Sequence, residues 1–373
     1  MKLEIKQGIL MEALNHVIKG ISSKNLIPIL NCIKFELTEN GLYLSSTDND
    51  ISIQAWIDPE DIEKNESYGE IVVSGRYIYE IIRKLPNDIV RIEEIIDNKI
   101  DIKTTSSNFT LNCNIASEFP TIDVRNSSNP ILLDKIAFKN IIRQTTFASS
   151  QQESRPTLTG INFKITKNIL EVGATDSFRV SKKTVQLEKE VDQSINIIIP
   201  TKNLNELNKL IVDDEGKIEL HIFENKVMFK FDNLILISRL INGEFPDLSK
   251  LIPTEFYLSM KLNLHNFYSS LDRASLFTSE SDKNIVSLES KKNNAIITSN
   301  IPEIGHVEEN VEIEKNNENE ISISFSSKYM MDALKAIDSD EIELEFSGEL
   351  KPIIIKSMND ENLVQLIVPI RTM

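Results

Sequence analysis

The chain has 373 residues, with 41 Lys and Arg against 57 Asp and Glu, for a formal net charge of −16. Hydrophobic residues make up 40%, enough to bury real cores, so a disordered chain is excluded and the length suits two or three domains. None of the 11 glycines are spaced as GxGxxG, GxxxxGK[ST] or GxSxG require, which excludes the usual dinucleotide fingerprint, the P-loop and the nucleophile elbow; net charge alone also argues against nonspecific nucleic-acid binding.

The N-terminus, MKLEIKQG, has no apolar signal region, and no apolar run approaches 18 residues, so a cytoplasmic protein without membrane contact is expected. The first helical pattern lies around Leu10–Ile18. Alternation at Ile33 and Phe35, a polar turn at Glu39-Asn40, and alternation at Leu42 and Leu44 predict a β-hairpin leading to Thr47-Asp48. A second helix runs from Ser74 to Leu85, with apolar positions 78, 81, 82 and 85 at helical spacing.

The same set then recurs. A helix is predicted around Phe138–Thr146, and a hairpin at Ile161, Phe163, Lys167-Asn168, Leu170 and Val172, followed by Thr175-Asp176. A strand follows at Ile195–Ile199, and the helix of Ser74 recurs at Pro200 and again at Ser326, two steps of 126 residues. The third set is a helix around Phe267–Ser275, a fainter hairpin at Val286, Leu288 and Ile297, and the helix from Ser326 to Ile337. A period this long indicates triplicated domains rather than a solenoid. We place the domains at 1–125, 126–253 and 254–373, with breaks in the polar stretch Asp123–Asn129 and near Pro253. The run Leu363–Val368 reads as the final strand, ended by Pro369, which has no N–H to give to a ladder.

Catalytic chemistry is hard to find. Cys32 and Cys113 form no CxxC pair and fit a reducing cytoplasm, and His16, His221, His265 and His306 make no metal pair, so no catalytic residue, metal or cofactor is expected. Asp58-Pro-Glu-Asp61 and Asp213-Asp-Glu215 are clusters that can serve acid–base work or form solvated turns. The helices say more. Arg76 and Arg83, Lys202 and Lys209, and Lys328 and Lys335 are each seven apart, one face per pair, and Lys19, Lys135, Lys139, Arg143 and Arg273 add bases on other helices. Glu80, Glu206 and Asp332 lie between the paired bases and can answer them as surface salt bridges, but three such faces at equal steps point to one polyanion. Without interleaved aromatics, contact with a duplex backbone is expected rather than base reading.

Six ordered motifs carry a resemblance: Leu26-Ile-Pro-Ile-Leu30, Glu118-Phe-Pro120, Arg155-Pro-Thr-Leu158, Ala174-Thr-Asp-Ser-Phe-Arg179, Arg239-Leu-Ile-Asn-Gly-Glu-Phe-Pro-Asp247 and Val368-Pro-Ile-Arg371. The chain resembles, along its whole length, the bacterial DNA polymerase III beta subunit, the replicative sliding clamp. The resemblance implies an α+β fold of three similar clamp domains, each with two helices packed on curved antiparallel sheet, and a ring-shaped head-to-tail homodimer around duplex DNA. The implied role is that of a non-catalytic processivity factor, with Lys24 and Gln152 touching DNA. Its implied partners are the polymerase catalytic subunit, the clamp loader and other clamp-binding peptides. The implied peptide cleft is lined by Leu158, Thr175, Arg179, Val180, Pro246, Leu251, Tyr329, Val368, Pro369, Ile370 and Arg371. The three domains and the resemblance together put the dimer seam at Arg76, Phe109 and Leu111 on one side and Leu276 and Phe277 on the other. The sequence departs from the family's pattern at Ser177-Phe178, where Gly-His or Ser-Tyr is commoner. The alternative function is a β-rich acid–base enzyme with an unrecognised carboxylate site.

Overall fold

The computed structural model describes residues 1–22, 25–96, 98–279 and 283–371. Six α-helices occur among them: α1 (Gln7–Val17), α2 (Gly75–Lys84), α3 (Lys135–Thr145), α4 (Thr201–Leu210), α5 (Leu264–Ser275) and α6 (Ser327–Lys335). Each falls on a predicted helix, because the apolar spacing that marks it also gives it a buried stripe. The chain forms two compact units, one of residues 1–136 and 206–240, the other of 137–205 and 241–373.

The first unit is built on a sheet of 13 antiparallel strands. Its hairpin Cys32–Thr38 and Gly41–Thr47 sets Phe35 against Leu44. Gly41 makes the turn at φ +121°, and a Cβ there would lie 2.3 Å from the Ile57 carbonyl oxygen, so only glycine fits. Strand Leu234–Arg239, from the middle third of the sequence, pairs with Ile51–Ile57, which carries strands 131–134, 217–222 and 226–231 into the same sheet. Leu10, Leu14 and Val17 of α1 and Ile78 and Ile82 of α2 are buried, each contributing roughly 1.5–3 kcal/mol of transfer energy. Tyr79 of α2 donates to Asn15 of α1 at 3.0 Å, and Gln7 donates to the Ile82 carbonyl at 2.7 Å.

The second unit contains a nine-stranded and a four-stranded sheet. Strand Arg179–Gln186 joins the last strand, Leu363–Ile367, with Arg179 opposite Ile367 and Val180 opposite Leu366. The final strand ends one residue earlier than the sequence suggested: the Val368 N–H still reaches the Phe178 carbonyl at 2.8 Å in the same register, but the Phe178 N–H goes to Asp176 and leaves that pair half made. α5 and α6 bury Phe267, Leu271, Met330 and Leu334 with Val286, Phe325 and Leu344 in one core. The hairpin register repeats: Phe163 faces Val172 and Leu288 faces Ile297, as Phe35 faces Leu44 in the first unit.

Candidate functional site

The segment Thr175–Arg179 is a tight turn between two strands of the second unit, and its own side chains close it. Thr175 Oγ1 donates to the Arg179 carbonyl at 2.7 Å, and one Asp176 oxygen accepts the N–H groups of Phe178 and Arg179 at 2.9 and 3.1 Å. Ser177 sits at φ +79°, a left-handed conformation that a non-glycine residue rarely adopts, and Arg155 Nη1 holds its hydroxyl at 3.0 Å. The turn therefore spends backbone strain to aim its side chains.

Arg179 organises what lies beside it. Its Nε donates to Asp176 at 3.0 Å and its Nη1 to Asp332 of α6 at 2.8 Å. The same guanidinium lies 4.5 Å from the Tyr329 ring centroid and 5.4 Å from that of Phe147. Burial, and then the charge of Asp176, raises the Tyr329 phenol above its ordinary pKa. The carboxylate of Asp332, which lies between the bases of its own helix, is engaged by Arg179 from another element.

Around this centre the apolar residues divide by exposure. Leu158 and Val180 are buried, and Val180 belongs to a small core with Leu248, Ile354 and Leu366. Leu251, one turn beyond Leu248, is 46% exposed, and Val368 and Pro246 are also exposed. Pro369 and Ile370 are half-buried and Arg371 is exposed. The Ile370 N–H donates to the Ser324 carbonyl at 2.7 Å, which ties the tail down through Ile370. Thr175, Arg179, Tyr329 and Val368 are brought together by these contacts. Asp176, Phe178, Asp332 and Phe147 share the place without having been named among the cleft residues. Asp176 and Phe178 stood inside a quoted motif; Phe147 had no signal in the sequence.

The basic helix faces are partly as expected. Arg76 and Arg83 of α2, Lys202 and Lys209 of α4, and Lys328 and Lys335 of α6 are all exposed, as is Gln152 in the turn before Pro156. Arg83 pairs with Glu80 at 2.6 Å and Lys209 with Glu206 at 2.8 Å, the local salt bridges foreseen for them. Lys24 lies outside the described residues. Lys135 corrects the list of surface bases: it is 1% exposed, and its Nζ is held by Asp232 at 2.6 Å and Asp214 at 2.9 Å. Arg143 pairs with Asp338 and Arg273 with Glu309, so neither base is an unanswered charge.

Among the seam residues, Leu276 is 74% exposed at the end of α5, and Phe277 lines a groove of about 420 Å³ with Ile285, Ile301 and Val307. In the first unit, Phe109 and Leu111 lie on strand Asn108–Asn114, which pairs along 108–112 on one side but on the other only at Cys113 and Asn114. Elsewhere Ser127, His221 and Glu219 line up like a hydrolytic array. The Ser127 N–H already donates to His221 Nδ1 at 3.0 Å, so that nitrogen has no lone pair left for a base, and Nε2–H points to Glu219 at 3.0 Å. Asp58 caps its own turn by accepting the Glu60 N–H at 2.9 Å, and Asp214 serves Lys135. No helix among the described residues is long and apolar enough to cross a membrane.

Three copies of a two-helix, antiparallel-sheet unit, with exposed bases on the repeated helix, define a scaffold of the DNA-clamp class. The chain belongs to the DNA polymerase III beta subunit family: models of its N-terminal, central and C-terminal domains match residues 1–123, 132–247 and 249–371. Curated relatives include the beta sliding clamps of Bacillus subtilis, 38% identical, and Staphylococcus aureus, 39% identical, each over 100% of both chains. The crystal structure of the DNA polymerase sliding clamp from Bacillus subtilis superposes with a TM-score of 0.96 at 38% identity, and that of the DNA polymerase III beta chain from Streptococcus pneumoniae with 0.95 at 33%, each over 100% of both chains.

Proposed function

We propose that this protein is the processivity factor of a replicative DNA polymerase: two chains close head to tail into a ring that encircles and slides on duplex DNA, tethering the polymerase and other partners. It is a non-catalytic subunit, acting in the cytoplasm with no cofactor. The observation that carries the reading is the pair of exposed bases repeated at equal steps on α2, α4 and α6 of a chain with net charge −16. An acidic protein that presents its bases on one repeated element can hold a polyanion there while the rest of its surface repels it, a contact that depends on charge and not on base sequence. The exposed Gln152 is assigned to the same contact, and Lys24 is assigned to it from the family resemblance.

The other assignments follow from the same reading. The clamp domains are 1–125, 126–253 and 254–373. The open edge of strand 108–112, with Phe109 and Leu111, meets Leu276 and Phe277 of a second chain, and a head-to-tail contact that closes after two steps makes a ring. The cleft around Arg179 takes a short extended peptide from the polymerase, the clamp loader or another partner, apolar walls giving affinity and the polar hinge orientation. Retention on nicked circular DNA, and loss when the circle is cut once, tests the whole. Equal retention on linear and circular DNA would make the protein an ordinary electrostatic binder.

A further inference from the structure

The ladder between Arg179–Gln186 and Leu363–Ile367 has the turn Thr175–Arg179 at one end and a polar pocket of about 450 Å³ at the other. The pocket lies between Asn140, Ile141 and Gln144 of α3, the end of strand Arg179–Gln186, and the turn 357–363 that joins the last two strands. Charges on its walls are matched: Lys183 pairs with Asp360, and Asp338 with Arg143. Gln144 is not matched. It is 4% exposed and lines the pocket, yet its Oε1 has no hydrogen-bond partner among the described residues. Its carbonyl accepts the Ser181 hydroxyl at 2.6 Å, and Ser181 stands opposite Gln365 in the ladder. Gln365 is 1% exposed, and its Oε1 and Nε2 lack a partner too. It shares a strand face with Leu363, another pocket residue. Buried polar atoms are almost always paired, because desolvation without a bond is unfavourable. Two glutamines joined through Ser181 break that rule, and one of them forms a pocket wall.

We propose that this pocket binds a small neutral molecule with an amide edge, an N–H donor beside a C=O acceptor, and that Gln144 recognises that edge. A neutral ligand fits because an ion would compete with the Lys183–Asp360 pair for its own partner. An amide edge fits because a carboxamide answers one in both senses, its oxygen accepting the N–H and its nitrogen donating to the C=O. The volume lies in the range of small-molecule sites and far exceeds the roughly 30 Å³ of one water. None of the residues assigned to the peptide cleft lines this pocket, so the inference stands apart from that reading.

Saturation-transfer NMR on the full-length protein tests this with two probes, uracil and propionamide. Each is compared with its fully N-methylated form, which keeps the C=O groups and loses every N–H donor. Wild type is expected to bind at least one parent saturably, about tenfold more tightly than its methylated form. The tighter parent tells a ring ligand from an open-chain one. Gln144→Met keeps the length of the side chain and removes the amide. It is expected to abolish the preference without lowering the melting temperature, since the orphaned oxygen has no bond to lose. If Gln144→Met does not fold, Asn140→Ala on the same wall takes its place, with the same loss expected. Binding of neither parent, equal binding of parent and methylated form, or a preference that survives the substitution overturns the proposal.

Discussion

Arg179 and Asp332 lie 153 positions apart in the sequence and 2.8 Å apart in the structure, in an ion pair whose arginine is also bound by Asp176 and covered by the Tyr329 ring. The pair fixes α6 against the turn Thr175–Arg179, so the position of Tyr329 depends on it.

Replacing Arg179 by Lys keeps the charge and removes the planar fork that serves two carboxylates and one ring at once. Both carboxylates are largely shielded, so a lost charge-assisted bond should cost about 1.5–3 kcal/mol. The expected outcome is a lower melting temperature and about tenfold weaker peptide binding, read by calorimetry. Unaltered affinity in Arg179→Lys would mean that the hinge does not position the cleft.

The dimer seam makes a separate prediction. Phe277→Asp puts an unpaired charge into the groove beside Ile285 and Ile301, where burying it against a second chain is strongly unfavourable. Sedimentation should show monomers that still bind peptide, because the cleft is built from other residues. A dimeric Phe277→Asp protein would move the seam elsewhere.

For DNA, the salt dependence of binding counts phosphate contacts. Each base neutralised among Arg76, Lys202 and Lys328 should flatten the log–log slope by about one unit, whatever the DNA sequence. Arg83→Gln should flatten it less than Arg76→Gln, since Arg83 is already paired with Glu80, whose carboxyl it holds below the usual range. An unchanged slope after the triple neutralisation would make the stripes solvated faces only.

The repeats were legible in the sequence because they rest on local periodicities. Helical spacing at Ile78, Ile82 and Leu85 and alternation at Ile33 and Phe35 survive translation by a fixed step, and the register of Phe35, Phe163 and Leu288 follows from them. The pairings that cross the chain were not legible. Lys135 looked like one more surface base, because the carboxylates that bury it lie 79 and 97 positions away. The bond from Arg179 to Asp332 was equally illegible, since nothing local on α6 marks an arginine 153 positions earlier. The sheet junctions at Leu234–Arg239 and Leu363–Ile367 divide the middle third of the sequence between two units for the same reason: strand edges select partners by geometry that no single strand encodes.

Lys135 itself gives the last prediction. Its N–H donates to the Gly216 carbonyl at 3.0 Å, and its ammonium draws Asp214 and Asp232 onto the first residue of α3. Burial alone would lower its pKa, but the hydrogen bonds it donates to Asp232 and Asp214, with the charges of both carboxylates, together outweigh burial and raise it. Asp214 is lowered in turn, by Lys135 first and then by the Gly216 N–H. A raised lysine contributes stability that is fully present below its unfolded value of about 10.4 and is lost as pH rises through the folded value. A depressed aspartate contributes stability present above its unfolded value of about 3.9 and lost as pH falls through its folded value. One cluster thus supports both edges of a plateau between roughly pH 4 and 10. Lys135→Met keeps the bulk and removes the charge, leaving two half-exposed carboxylates facing each other. It should cost about 1–3 kcal/mol at neutral pH and abolish the alkaline edge. Urea unfolding at about pH 3, 7 and 11 reads the plateau and both edges. A variant as stable as wild type at every pH would show that the cluster fixes the start of α3 without stabilising it.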